Sequence, residues 1–189
     1  MNLYFALLVK DRVLTARFFL SFLMLWSIGG MVMAVLFASV GPCFAWPILG
    51  DETFVEQMAY LKEADKQFPV LVLDVQQLLL FWHFSGEHGL GRGITAMPSM
   101  HVGLAFLFFL AMRHQGRIAA WGFGAFFVVI ALASVHLGYH YAVDGYVSMA
   151  LTSAVWWASK RLVGQPHGTQ LADLRRFLPA RLRQTGATA

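Results

Sequence analysis

Two short stretches of this chain hold residue types whose spacing can do chemistry: Ala96-Met97-Pro98-Ser99-Met100-His101 and His136-Leu137-Gly138-Tyr139-His140-Tyr141-Ala142-Val143-Asp144. His140 and Asp144 are four apart, so on a helix their side chains share a face. A carboxylate there can accept a bond from one ring nitrogen, which fixes the tautomer and leaves the other nitrogen as a nucleophile or base. Pro98 suits the first turn of a helix. The free N–H groups around Ser99 to His101 then point outward from a positive helix end, an arrangement that fits a phosphate. Ser99 adds a hydroxyl donor, and His101 can give a proton to a leaving oxygen. Arg92, flanked by Gly91 and Gly93, lies six residues before Pro98 and can reach phosphate oxygens with its planar fork. Taken singly, each residue has a plainer reading. A lone membrane histidine packs or bonds across helices, Ser99 is a ready helix cap, and Gly41-Pro42 is a helix stop. Lys62 and Lys66 are ordinary loop charges. The combination, with one histidine partnered by an aspartate at helical spacing, points to catalysis.

Composition says which elements must position these residues. The chain has 189 residues, 58% hydrophobic and 13% charged, against about 25% charged in a soluble domain. That surplus of apolar surface calls for lipid. A bilayer core needs about 20 apolar residues per helix, and four stretches supply them: 18–40, 94–112, 118–137 and 141–159. The expected fold is all-α, a polytopic transmembrane helix bundle of about four spans. Within the loop 41–93, residues 52–67 predict an amphipathic helix, and 70–84 a segment lying in the interface or re-entering beside the site. Eleven basic residues fall at Lys10–Arg17, Arg113–Arg117 and beyond Lys160, while the 41–93 loop carries seven acidic and three basic ones. By the positive-inside rule both termini are cytoplasmic, and the loop, His101, His140 and Asp144 lie on the outer side. The domain expectation is a membrane unit over 1–163 and a basic cytoplasmic tail over 164–189. Cys43 is the only cysteine, which excludes an internal disulfide or cysteine-based metal cluster. The arginines flank apolar runs instead of forming an aromatic-interleaved patch, which argues against nucleic acid as a partner.

The two motifs together resemble the type 2 phosphatidic acid phosphatase superfamily of lipid phosphate phosphatases and phosphotransferases. Its members carry Pro-Ser-x-His at the start of one helix and His-x-x-x-Asp at the start of a later one, here Pro98–His101 and His140–Asp144. The Ala-Met-Pro-Ser-Met-His and His-Tyr-x-x-Asp forms, with Gly41-Pro42, are similar to the inositol phosphorylceramide synthase branch. The resemblance covers roughly Ser39 to Ser159 and implies a lipid or lipid-linked phosphate substrate. It also implies that His140 attacks phosphorus to form a phosphohistidine and that Asp144 orients His140. His101 would protonate the leaving alcohol and then activate water or an acceptor hydroxyl, with no metal or other cofactor. The chain departs from the superfamily pattern in three ways: Met100 stands where glycine is usual, Ser134 stands where an arginine is usual, and the upstream Lys…Arg-Pro element is absent. Arg92, with Lys66 or Lys62, must then supply the positive charge for phosphate. Four spans are also fewer than the family's usual six. Two other readings compete. One is a metal-dependent membrane hydroxylase using His101, His136, His140 and Asp144 as ligands. The other is a catalytically inactive membrane relative.

Overall fold

A computed structural model describes residues 1–86 and 94–164. The described residues form helices in the order α1 (Asn2–Leu7), α2 (Arg12–Leu36), α3 (Pro42–Phe44), α4 (Val55–Asp65), α5 (Leu71–Ser85), α6 (Met100–Met112), α7 (Arg117–His136) and α8 (Ala142–Val163). No strand occurs among them. The chain is an all-helical bundle, as its composition demands.

Asp11 starts α2 by accepting the N–H groups of Val13 and Leu14. The helix widens to π geometry over Trp26–Met33, where Gly29 and Gly30 fall. Gly29 there faces Leu151 and Met100. The α2 and α7 helices are each long and apolar enough to cross a membrane. The α7 helix leaves much of its apolar surface uncovered, with Ile118 91% and Trp121 78% exposed. An apolar face of that size needs lipid or another apolar partner.

One of the expected spans differs from expectation. The stretch 94–112 does not start as helix. Ser99 is the N-cap of α6, so Ile94–Ser99 is irregular backbone and Pro98 precedes the cap instead of sitting in the first turn. The remaining 13 residues reach only about 20 Å at ~1.5 Å per residue. Hydropathy runs unbroken through Ile94–Met97, whereas helix initiation is decided by the capping residue. The α8 helix is long, at 22 residues, but carries Asp144 at one end and Lys160 and Arg161 at the other. The loop segment 52–67 contains a short 3₁₀ turn followed by α4, and 70–84 forms α5.

The core lies where α1, α2, α6 and α8 meet. Phe5 stacks on Phe18 at 4.0 Å between ring centroids, and Leu25, Leu107, Leu110 and Trp156 complete the buried cluster. Small polar residues bring the helices close. The Ser21 and Ser159 hydroxyls lie 2.7 Å apart between α2 and α8. Thr152 donates to the Gly103 carbonyl at 3.3 Å between α8 and α6. Small residues and interhelical hydroxyl bonds serve in membranes where hydrophobic burial alone cannot drive association.

Candidate active site

The irregular Ile94–Ser99 segment is bonded through its backbone to the connection after α2 and to the first turn of α8. Ala96 donates to the Ser39 carbonyl at 2.8 Å, and Ser99 donates its N–H to the Asp144 carbonyl at 3.4 Å. The opposite wall is fixed by the turn Leu137–Tyr141. Gly138 takes the left-handed conformation at φ +73°, a backbone state that favours glycine. Its carbonyl accepts from Cys43 N–H at 2.8 Å. Gly41 lies so close to the Tyr139 carbonyl that no side chain fits between them. Gln76 on α5 donates to the Leu137 carbonyl at 2.8 Å, and the Tyr139 hydroxyl donates to Val72 at 3.4 Å. The loop carrying His140 is thus clamped by residues from two other segments.

These clamps bring His101 and His140 together, with ring centroids 5.9 Å apart. Both line a cavity of about 340 Å³ whose other walls include Trp26, Phe44, Leu79 and Tyr139. His140 is buried and His101 is exposed. The Nδ1 atom of His140 lies 2.6 Å from the Ala96 carbonyl oxygen. A carbonyl can only accept, so Nδ1 carries the hydrogen and Nε2 keeps its lone pair. Burial pulls the His140 imidazole down to about 4. The Ala96 bond opposes that shift, and the nearby His101 adds to it. The ring is therefore neutral at pH 7, as a nucleophile must be.

Asp144 differs from its expected position. It is buried with Oδ2 at 3.8 Å from His140 Nδ1, beyond direct hydrogen-bond range. That oxygen accepts the Tyr141 N–H at 2.8 Å and so caps α8. The hydrogen-bond partner of the His140 ring is the Ala96 carbonyl, and the Asp144 carboxyl lies near the same nitrogen without bonding it. Ser99 also differs. It is fully buried, its hydroxyl accepts from Val102 N–H at 3.5 Å, and it is absent from the cavity wall. The backbone at the start of α6 does reach the cavity. Met100 and His101 are the first residues of α6 and line the cavity, and N–H groups at that position have no partner within the helix.

The two expected cations among the described residues, Lys62 and Lys66, are not gathered here. Lys66 is exposed and bridges Glu63 on α4 at 2.5 Å. Lys62 borders a separate cavity with Pro42, Trp46 and Gln77. Arg92 falls outside the described residues, as does most of the tail 164–189. Among the described residues, no lysine or arginine lines the His101–His140 cavity. Ser134 is buried, and its carbonyl accepts the His140 N–H at 3.2 Å. His136 is exposed, with its ring against Tyr60. The hydroxylase reading required it beside His101, His140 and Asp144. Among the described residues, no three His, Cys, Asp or Glu side chains form a group that could hold a metal ion.

Two contributors had no sequence signal of their own. The Ala96 carbonyl is a backbone atom. Gly41 looks like a helix stop, although its role is close approach to Tyr139.

No curated protein and no solved structure matches the chain. A family model described as PAP2 superfamily matches residues 1–158. With most of its length matched, this all-helical chain belongs to the PAP2 superfamily.

Proposed function

We propose that the protein is a membrane phosphatase or phosphotransferase acting on lipid-borne phosphate through a phosphohistidine on His140. The observation that carries this reading is the pairing of His101 and His140 across one cavity, with Nδ1 of His140 held by Ala96 and Nε2 left free. In the first step Nε2 attacks phosphorus and the ester P–O bond breaks, while protonated His101 gives its proton to the leaving alkoxide. In the second step His101 takes a proton from water or an acceptor hydroxyl. That oxygen attacks phosphorus, the P–N bond breaks, and His140 is regenerated. The N–H groups of Met100 and His101, at the positive end of α6, stabilise the charge on the phosphoryl oxygens. Asp144 stabilises positive charge on the phosphorylated ring across 3.8 Å.

Lipid is the proposed substrate class because apolar groups of Trp26, Leu79 and Ile94 form the cavity wall. Arg92 is the proposed phosphate clamp, with Lys66 a weaker candidate given its bridge to Glu63. The site is proposed to face the outer side, with residues 1–163 as one membrane unit and 164–189 as a cytoplasmic tail. The inositol phosphorylceramide synthase-like branch, and with it transfer to a lipid or polyol hydroxyl, belongs to the same proposal. A second reading, a catalytically inactive membrane relative, rests on Ser134 standing where the superfamily usually has an arginine. Incubating purified protein with a phospholipid panel separates the two, following both free phosphate and new headgroups. Turnover that His140→Ala and His101→Ala each abolish supports the catalytic reading, and absence of turnover on every lipid supports the inactive one.

A further inference from the structure

At the other end of the bundle lies a second, chemically different cavity. The α6 helix runs from Met100 at the histidine site to Met112 just before His114, and α8 runs from Ala142 to Val163. Between those far ends and the start of α2 is a concavity of about 510 Å³. Arg17, His114, Lys160 and Arg161 line it, and Asp11 is its one carboxylate. Asp11 is already engaged, accepting two backbone N–H groups at the start of α2. Partial burial, and then the positive charges of Arg113, Arg17 and Lys160, hold the His114 imidazole below its usual value, with Asp11 opposing. The cavity therefore concentrates positive charge that the described side chains do not neutralise.

Topology-setting cations ordinarily snorkel outward into water. Arg17 does the opposite. Its guanidinium lies 3.6 Å from the Trp156 ring centroid and donates to the Trp156 carbonyl through Nε at 3.2 Å and Nη2 at 2.9 Å. Arg161 covers the Trp157 ring at 4.5 Å. These contacts fix two guanidinium groups in place before any ligand arrives, which lowers the ordering cost of binding. The cavity's rim is apolar and uncovered at Val13 and Trp157. A charged pocket with an apolar rim fits an amphiphile better than a free ion.

We propose that this cavity binds the phosphate of an anionic lipid headgroup in the leaflet opposite the histidine site. Arg161 and Lys160 contact the phosphate, Arg17 supplies the fixed charge behind them, and the acyl chains lie along Val13 and Trp157. The site is independent of the catalytic reading, because it needs neither His101 nor His140.

The test uses the full chain in neutral detergent, with thermal unfolding followed during titration. The titrants are a phosphatidylglycerol, a phosphatidylcholine, and inorganic phosphate. A His101→Ala/His140→Ala background removes the paired histidines of the first site from consideration. Phosphatidylglycerol is expected to raise Tm in that background, with phosphatidylcholine giving a smaller shift. Lys160→Gln/Arg161→Gln should weaken the phosphatidylglycerol effect by at least about tenfold in midpoint concentration, since two charge-assisted contacts are lost. Lys160→Arg should retain it. Unliganded Tm of each variant reports whether it folds, and retention by Lys160→Arg keeps the test valid if the double variant does not. Equal shifts with phosphatidylcholine overturn the proposal. So does an unchanged midpoint in the double variant. A full shift with inorganic phosphate alone overturns the lipid assignment and leaves an anion site.

Discussion

Gly41→Ala tests how the catalytic loop is held. A Cβ on Gly41 collides with the Tyr139 carbonyl oxygen, lies 2.9 Å from its carbon, and lies 3.3 Å from the Gly138 oxygen. These are backbone atoms, so no side-chain rotation relieves the clash. The Gly138–His140 turn must recede by roughly 1 Å to restore contact, and a misplacement of that size costs about 100-fold in rate when it reaches a catalytic group. His140 is one residue beyond the clash and is tied to Ala96 at 2.6 Å, so the displacement reaches its ring. Overpacking also destabilises the fold by about 1–3 kcal/mol, leaving a folded protein for assay at low temperature. The readouts are kcat/KM on the best phospholipid and Tm on the same preparation. Gly122→Ala is the control, since nothing lies within 4 Å of its added Cβ, and it should leave both readouts near wild type. A Gly41→Ala enzyme within about threefold of wild type would refute the reasoning, because the 100-fold figure rests on rigid transmission to His140.

Other outcomes follow from the same site. With His140 held near 4 rather than its usual 6.5, its lone pair stays available as pH falls through 6; phosphohistidine formation should therefore lose this group only near pH 4, and an acid limb at pH 6.5 in single-turnover labelling of the wild-type enzyme would contradict it. The same shift sets a stability window: between pH 6.5 and about 4 the unfolded chain binds a proton that folded His140 refuses, so stability falls with pH there, and His140→Gln should flatten that part of a Tm-versus-pH curve. Arg92→Ala should cost at least about tenfold in kcat/KM, or ~1.4 kcal/mol, with Lys66→Ala costing less because Glu63 already engages it; equal losses in the two variants would undo the ranking. Activity should survive dialysis against strong chelators, and loss in chelator with rescue by zinc or iron would favour the metal-dependent reading.

The long apolar helices were legible because lipid-exposed surface leaves a direct mark on composition: α2 and α7 follow from uninterrupted apolar runs. The 94–112 stretch shows where hydropathy stops informing. Ile94, Ala96 and Met97 are as apolar as a helix interior, yet Ser99 caps the helix after them, and buried irregular backbone is tolerated where it lines a cavity. The meeting of His101 and His140 was legible from two motifs with chemical residue types. The hydrogen-bond partner of the His140 ring was not: Nδ1 meets the Ala96 carbonyl, a group every residue type possesses, while the Asp144 carboxyl stands 3.8 Å away. Ser99 taken alone read as a cap before a ligand, and its burial and bond to Val102 N–H fit the cap. Gly41 was misleading because a glycine after a helix reads as a stop, while its close approach to Tyr139 depends on a contact nearly a hundred residues away.

The most direct test of the central claim is rapid acid-free quenching of the enzyme during turnover of a phosphate-labelled phospholipid, followed by peptide mapping of the bound label. The account predicts base-stable, acid-labile label on the peptide holding His140, absent in His140→Ala and much reduced in His101→Ala. Phosphate released at the normal rate with no label on His140, or by the His140→Ala variant, would contradict it.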